Sequence, residues 1–161
     1  MTIKKFFISD LHLNHRNIIK HCNRPFKNVE DMNSTIIRRW NTAVKEEDIV
    51  FYLGDFCTGD PRQWINKLNG RIIFIQGNHD HKLRYTKRSI IFSHGNENIL
   101  LIHKPERPNE WNGWIIHGHV HNHNVEVHPL INKNLKMINV SAELLNYNPI
   151  EENTLLSQRF R

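Results

Sequence analysis

Cysteine is scarce in this chain: its 161 residues hold two, Cys22 and Cys57, lying 35 positions apart and in no CxxC spacing. A disulfide framework or a zinc knuckle needs more thiols at closer spacing, so free thiols are expected and redox chemistry is not indicated. Long apolar runs are missing too. No stretch approaches the ~18 residues of a membrane span, and residues 1–8 meet Ser9-Asp10 too early for the hydrophobic region of a signal peptide. A cytoplasmic protein with no membrane partner is the expectation. Repeats, low-complexity tracts and linkers are absent, leaving only turn clusters such as 104–109 and 132–134. This length, with 39% hydrophobic residues, suits a single domain over residues 1–161 that buries roughly 68–70% of its unfolded surface.

Positive charge is in excess, with 22 Lys and Arg against 16 Asp and Glu, a formal net charge of +6 and a pI near 9.5. An anionic partner follows: a phosphorylated small molecule or nucleotide, or nucleic acid. The densest basic stretch, 81–88, contains His81, Lys82, Arg84, Lys87 and Arg88, and a smaller one is Arg38-Arg39. Each is read as a substrate-steering patch or as a solvated basic face. Nothing in the pattern fixes an oligomeric state.

Apolar runs alternate with helix-periodic stretches. Strands are expected at 4–9, 49–53, 71–75, 90–92, 99–102, 114–116, 125–127 and 137–140, and helices at 16–22, 30–44, 61–68 and 81–85. Met32, Ile36, Ile37 and Trp40 recur at helical spacing, and Asp60-Pro61 reads as N-cap and first-turn proline. The first half is therefore βαβαβ and the second mostly β.

Five polar blocks follow these strands: Asp10-Leu11-His12, Gly54-Asp55, Gly77-Asn78-His79-Asp80, a lone His103, and Gly118-His119-Val120-His121. In an open α/β sheet the carboxyl ends of neighbouring strands share one edge, so residues far apart in sequence converge there. Alternate side chains of an extended segment point the same way, which makes Asp10 and His12, and likewise His119 and His121, chelating pairs. Taken singly, the Gly77 block also fits a turn or helix N-cap, and His103 an ordinary buried histidine. Carboxylate, carboxamide and imidazole together suit Mn²⁺, Fe²⁺, Co²⁺, Ni²⁺ or Zn²⁺, and two such ions clamp a transferring phosphoryl group.

Together and in this order, the blocks resemble the signature of the calcineurin-like metallophosphoesterase superfamily: DxH, GD, GNH followed by D or E, H, and GHxH. The resemblance spans residues 6–121, and residues 138–141 with 148–150 look like the closing strand of its small members. It implies an α/β fold, a β-sandwich of two mixed sheets flanked by helices in four layers. It also implies two divalent ions, manganese first, with iron, zinc, nickel or cobalt as alternatives. Asp10, His12 and His121 would bind one ion, Asn78, His103 and His119 the other, and Asp55 would bridge them. His79 would protonate the leaving oxygen and Asp80 would orient His79. The activity implied is hydrolysis of a phosphomonoester or phosphodiester by a water that the ions acidify. Neighbouring alternatives are a nuclease and a cyclic-nucleotide or RNA-end phosphodiesterase; a non-catalytic scaffold of the same fold is disfavoured by His79.

Departures narrow this further. The second block lacks the downstream Asp-Arg-Gly of protein Ser/Thr phosphatases, and the last lacks the aspartate of the metallo-β-lactamase HxHxDH motif. Around the site, His15, Asn17 and Arg24 are candidate phosphate contacts, with Arg24 preferred because its planar fork suits phosphate. Lys104 and Arg107 are candidate rim residues, while Trp111 and Trp114 either stack a base or pack.

Overall fold

In the computed structural model, which describes residues 2–160, two mixed sheets lie face to face. Strands β1 (Lys5–Ile8), β2 (Ile49–Tyr52) and β3 (Arg71–Phe74) are parallel, in register Phe7↔Phe51 and Phe51↔Ile73. The second sheet runs β4 (Ser89–His94), β5 (Glu97–Ile102), β6 (Trp114–His117), β8 (Met137–Asn139), β7 (Ile131–Asn132), with β5, β6 and β8 parallel. An antiparallel β9 (Ile150–Glu151) closes the first sheet against β1.

The period of two along each strand sorts the core into layers. Phe7, Phe51, Leu53 and Ile75 face Phe92, Ile99, Leu101, Ile116, Ile138 and Val140 between the sheets. Phe6, Ile8, Val50, Tyr52 and Phe74 point the other way, onto helices. There α1 (Arg16–His21), α2 (Val29–Ala43) and α3 (Arg62–Ile65) form the outer layer. Met32, Ile36 and Trp40 of α2 are buried, and Asn28 caps that helix by accepting the Asp31 N–H at 2.8 Å. Outside the second sheet the layer is thin: Leu100, Ile115 and Met137 are covered by Ile102 and Trp111. Helix α4 (Glu152–Ser157) inserts Leu155 and Leu156 between the sheets, and a 3₁₀ turn, Gln158–Phe160, follows. No helix among the described residues is long and apolar enough to cross a membrane.

Two expected elements do not form. Residues 125–127 are turns: Val125 and Val127 are exposed, left-handed Asn124 precedes them, and the Asn124 carbonyl takes the N–H groups of Val127 and His128. Within 81–85 only one turn forms, closed by the Leu83 N–H on the Asp80 carbonyl, and Tyr85 beyond it has φ of 62°. The third helix is also shorter than the periodicity suggests, although Asp60 does accept the Arg62 N–H at its start.

The sheets meet at one end. Ser9 pairs with Ser141, donating its N–H to Val140 and accepting that of Ala142. Because β1, β2, β3 and β5, β6, β8 all run toward this end, all five polar blocks leave their strands there.

Candidate metal centre

The chain turns off its strands through left-handed residues. Asp10, His12, Asp55, His119 and His121 have φ of 58°, 49°, 59°, 72° and 50°. The blocks are therefore not extended, and the expected period-two alternation is not what aims their side chains. Asp, Asn and His tolerate the left-handed region better than most residues, at roughly 1–2 kcal/mol each.

Two groups of donors result. Ligand atoms of Asp10, His12 and His121 lie within 4.8 Å of one another, and so do those of Asp55, His103 and His119. Asp55 Oδ2 links the groups, 3.6 Å from His12 Nε2 and 3.5 Å from His103 Nε2. Asn78 Oδ1 stands 3.0 Å from His103 Nε2. Two atoms each ~2.1 Å from one ion are separated by ~3.0–3.4 Å, so these spacings are close to those of a loaded site. Asp10 Oδ1 and His12 Nε2 are buried and have no hydrogen-bond partner, an arrangement unfavourable in a dry interior but suited to a cation. The donor set fits divalent metal.

Charge in the metal-free cluster follows from burial and neighbours. Burial pulls the His12 imidazole down to about 3, keeping a lone pair on its ring. Burial works against ionisation of Asp55, but the hydrogen bond and charge of His103 outweigh it and hold the carboxyl at about 2. Burial likewise opposes charge on His121, yet the side chains of Cys22, Glu143 and Asp10 prevail and push it up to about 10.

A supporting shell fixes the donors. His103 Nδ1 donates to the Leu53 carbonyl at 2.7 Å, and His121 Nδ1 is bound to Glu143 Oε1 at 3.0 Å, so both rings present Nε2 to the centre. Ser9, Ser141 and the His119 N–H converge on Asp10 Oδ2. Buried Tyr52 accepts the Leu11 N–H and donates to the Asp55 carbonyl. Gly118 is required by close approach: a Cβ there would collide with Ser9 Oγ and Asp10 Oδ2.

Two assigned roles change. Arg24, expected as a phosphate clamp, has a fully buried side chain that donates to Glu143 Oε1 at 2.9 and 2.7 Å and to the carbonyls of Leu11 and Asp10 at 2.7 Å. Every fork position is occupied internally, so it positions Glu143 and the Asp10 loop. Asp80 does not touch the His79 ring; its two oxygens accept the N–H groups of Gly77, Asp55 and Phe56 at 2.7–2.8 Å, tying two ligand loops together.

His79 lies at the edge of the cluster. Its side chain is 59% exposed, its Nε2 is 3.9 Å from Asp55 Oδ2, and its N–H donates to Asp55 Oδ1. His15 stands beside it, with Nδ1 3.4 Å from His12 Nδ1. Asn17 lies instead with Lys20 and His21 on the exposed side of α1. Lys104 is exposed and close enough for its charge to help lower the His119 imidazole, after burial. Arg107 serves another loop, donating to the carbonyls of Trp111, Gly113 and Leu135. Trp111 and Trp114 pack: the indole N–H of the first donates to the carbonyl of the second. Glu143 was not anticipated from sequence, although Ser141-Ala142-Glu143 follows strand β8 just as the other blocks follow theirs.

The model of the calcineurin-like phosphoesterase superfamily domain matches residues 3–142, and the chain belongs to that superfamily. It is a superfamily of phosphoesterases, some of whose members are non-catalytic, and it generally binds divalent metals. An uncharacterized protein of Methanocaldococcus jannaschii is 44% identical over 158 residues, covering 93% of this chain and 88% of the relative. The gene 66 protein of Mycobacterium phage L5 is 28% identical over 159 residues, covering 72% and 76%. The crystal structure of a protein of unknown function from Aquifex aeolicus superposes with a TM-score of 0.77 at 26% identity, covering 98% of this chain and all of that one.

Proposed function

We propose that the protein hydrolyses a small phosphomonoester or phosphodiester with two divalent ions. The observation that carries this reading is one buried carboxylate oxygen, Asp55 Oδ2, standing between two histidine-containing donor groups, with Asp10 Oδ1 and His12 Nε2 buried and unpartnered beside it. Asp10, His12 and His121 would hold one ion, Asn78, His103 and His119 the other, with Asp55 shared; the mixed oxygen-and-imidazole set suits manganese, iron, cobalt, nickel or zinc, and the family resemblance puts manganese first. When bound, such a pair acidifies water toward neutral pH and offsets charge building on the phosphoryl oxygens.

The chain's own residues do the remaining work. His79, exposed at the edge of the cluster and fixed through its backbone on Asp55, protonates the leaving oxygen, a contribution typically worth ~10²–10⁴-fold. Asp80 acts through the main chain, holding the loops that carry Asp55 and His79 in place. His15 faces the same opening and contacts the substrate phosphate. The two free thiols favour a reducing, cytoplasmic setting.

The test is metal content set against turnover. Chelator-treated protein should be inactive on p-nitrophenyl phosphate and its bis ester and recover with Mn²⁺, and Asp55→Asn should lose one or both ions and orders of magnitude in rate. Full activity in metal-free protein, or two ions per chain and wild-type rates in Asp55→Asn, refutes the proposal.

A further inference from the structure

The leaving group of any phosphoester cleaved here lies on the His79 side. A depression of about 220 Å³ opens there, lined by His79, Cys57, Thr58, Pro61, Lys82 and Leu83 among others. Pro61, Lys82 and Leu83 also line a second depression of about 590 Å³, which adjoins the first across these residues and is not itself lined by His79. The second has a size typical of small-molecule pockets. Its lining includes the apolar Pro61, Ile65, Phe74 and Leu83 and the basic Lys82 and Arg84. Neither cation is paired with a carboxylate among the described residues, whereas Arg62 is bound to Asp60 at 2.8 Å.

At the far lip stands Tyr85. It is 97% exposed and has φ of 62°, a conformation that a bulky residue rarely adopts. An exposed aromatic ring lining a groove that also has apolar residues offers a stacking face to a planar base, and the neighbouring cations can lie against the same base or add positive potential for an anionic ligand. A sugar phosphate or polyol phosphate would use neither the ring nor the apolar residues.

We propose that the groove from His79 to Tyr85 is a nucleoside subsite: the substrate is a nucleotide whose base stacks on Tyr85, with Lys82 and Arg84 along its path. This rests on the phosphoesterase reading, which sets the leaving-group side, and it gives the basic stretch at 81–88 a ligand.

The test is binding without turnover. Metal-loaded protein is titrated with adenosine 5′-thiophosphate, chosen for slow hydrolysis, and with free thiophosphate. Base–aromatic stacking of ~1–3 kcal/mol predicts that the nucleotide binds roughly 5- to 150-fold more tightly than the free anion. Tyr85→Ala should abolish that ratio and Tyr85→Phe should keep it, with circular dichroism confirming that both are folded. Equal binding of the two probes by the wild type, or a ratio that survives in Tyr85→Ala, overturns the subsite while leaving the hydrolase proposal standing. Affinity that climbs with the length of a short RNA instead of saturating at one nucleotide also overturns it, in favour of a nucleic-acid groove. Absence of hydrolysis alongside an intact, Tyr85-dependent ratio upholds the subsite and counts against the hydrolase proposal alone.

Discussion

Replacing Glu143 by glutamine removes one charge and almost no volume, which isolates what that carboxylate does. In the protein Glu143 Oε1 holds His121 Nδ1 at 3.0 Å and two Arg24 nitrogens at 2.9 and 2.7 Å, with both the Arg24 and Glu143 side chains nearly inaccessible to water. Breaking a buried ion pair typically costs 3–5 kcal/mol, and because an amide oxygen still accepts hydrogen bonds, the lower end, about 3 kcal/mol, is expected. For a chain of this size that is a fall of roughly 6–12 °C in melting temperature. Metal affinity should drop by another route. The carboxylate sets the tautomer and basicity of His121, and losing such a partner generally weakens metal binding about 10- to 100-fold. Melting curves of metal-free protein read the first effect, and chelator competition reads the second. A melting temperature within about 2 °C of wild type together with affinity within about threefold would mean that Glu143 neither supports Arg24 nor orients His121.

Three further outcomes follow from the same geometry. His79→Asn should keep near-normal metal content while losing roughly 10²–10⁴-fold on a nucleotide and markedly less on p-nitrophenyl phosphate, whose leaving group departs unaided; equal losses on both, with chemistry rate-limiting, would exclude proton donation. Because His121 in metal-free protein is protonated up to about pH 10, metal uptake at pH 7 should release a proton, and affinity should rise with pH by up to about tenfold per unit toward that value. Calorimetry in buffers of different ionisation enthalpy measures the release, and none would contradict a charged His121. Gly118→Ala should lose metal binding and several kcal/mol of stability through the clash with Ser9 and Asp10, as followed by urea unfolding and metal analysis; wild-type values in both would exclude that close approach.

The candidate site residues were more legible in the sequence than the way the backbone presents them. Strand ends are signalled by apolar runs stopping at Asp10, Asp55, Asn78, His103 and His119, and those ends meet where Ser9 pairs with Ser141. The left-handed turns carry no comparable signal, since Asp and His occur in every conformation. The buried role of Arg24, and Glu143 altogether, escaped because their partnership spans 119 positions and is made only when the sheets join at Ser9 and Ser141. Valines 125 and 127 misled for the opposite reason: strand propensity without a partner edge yields turns. β7, β9 and α4 are too short, at two to six residues, to impose a period.

Five of the seven candidate ligands sit where L-residues are strained, and this alters what a truncation there would measure. Alanine at Asp10, His12, Asp55, His119 or His121 removes a donor and also installs a side chain less suited to that backbone, so its effect adds a conformational penalty to the loss of a ligand. Glycine enters the left-handed region with no Cβ penalty and offers no donor, so it removes the ligand without that conformational cost. The difference between the alanine and glycine variants at each position would report how strongly that backbone disfavours a side chain.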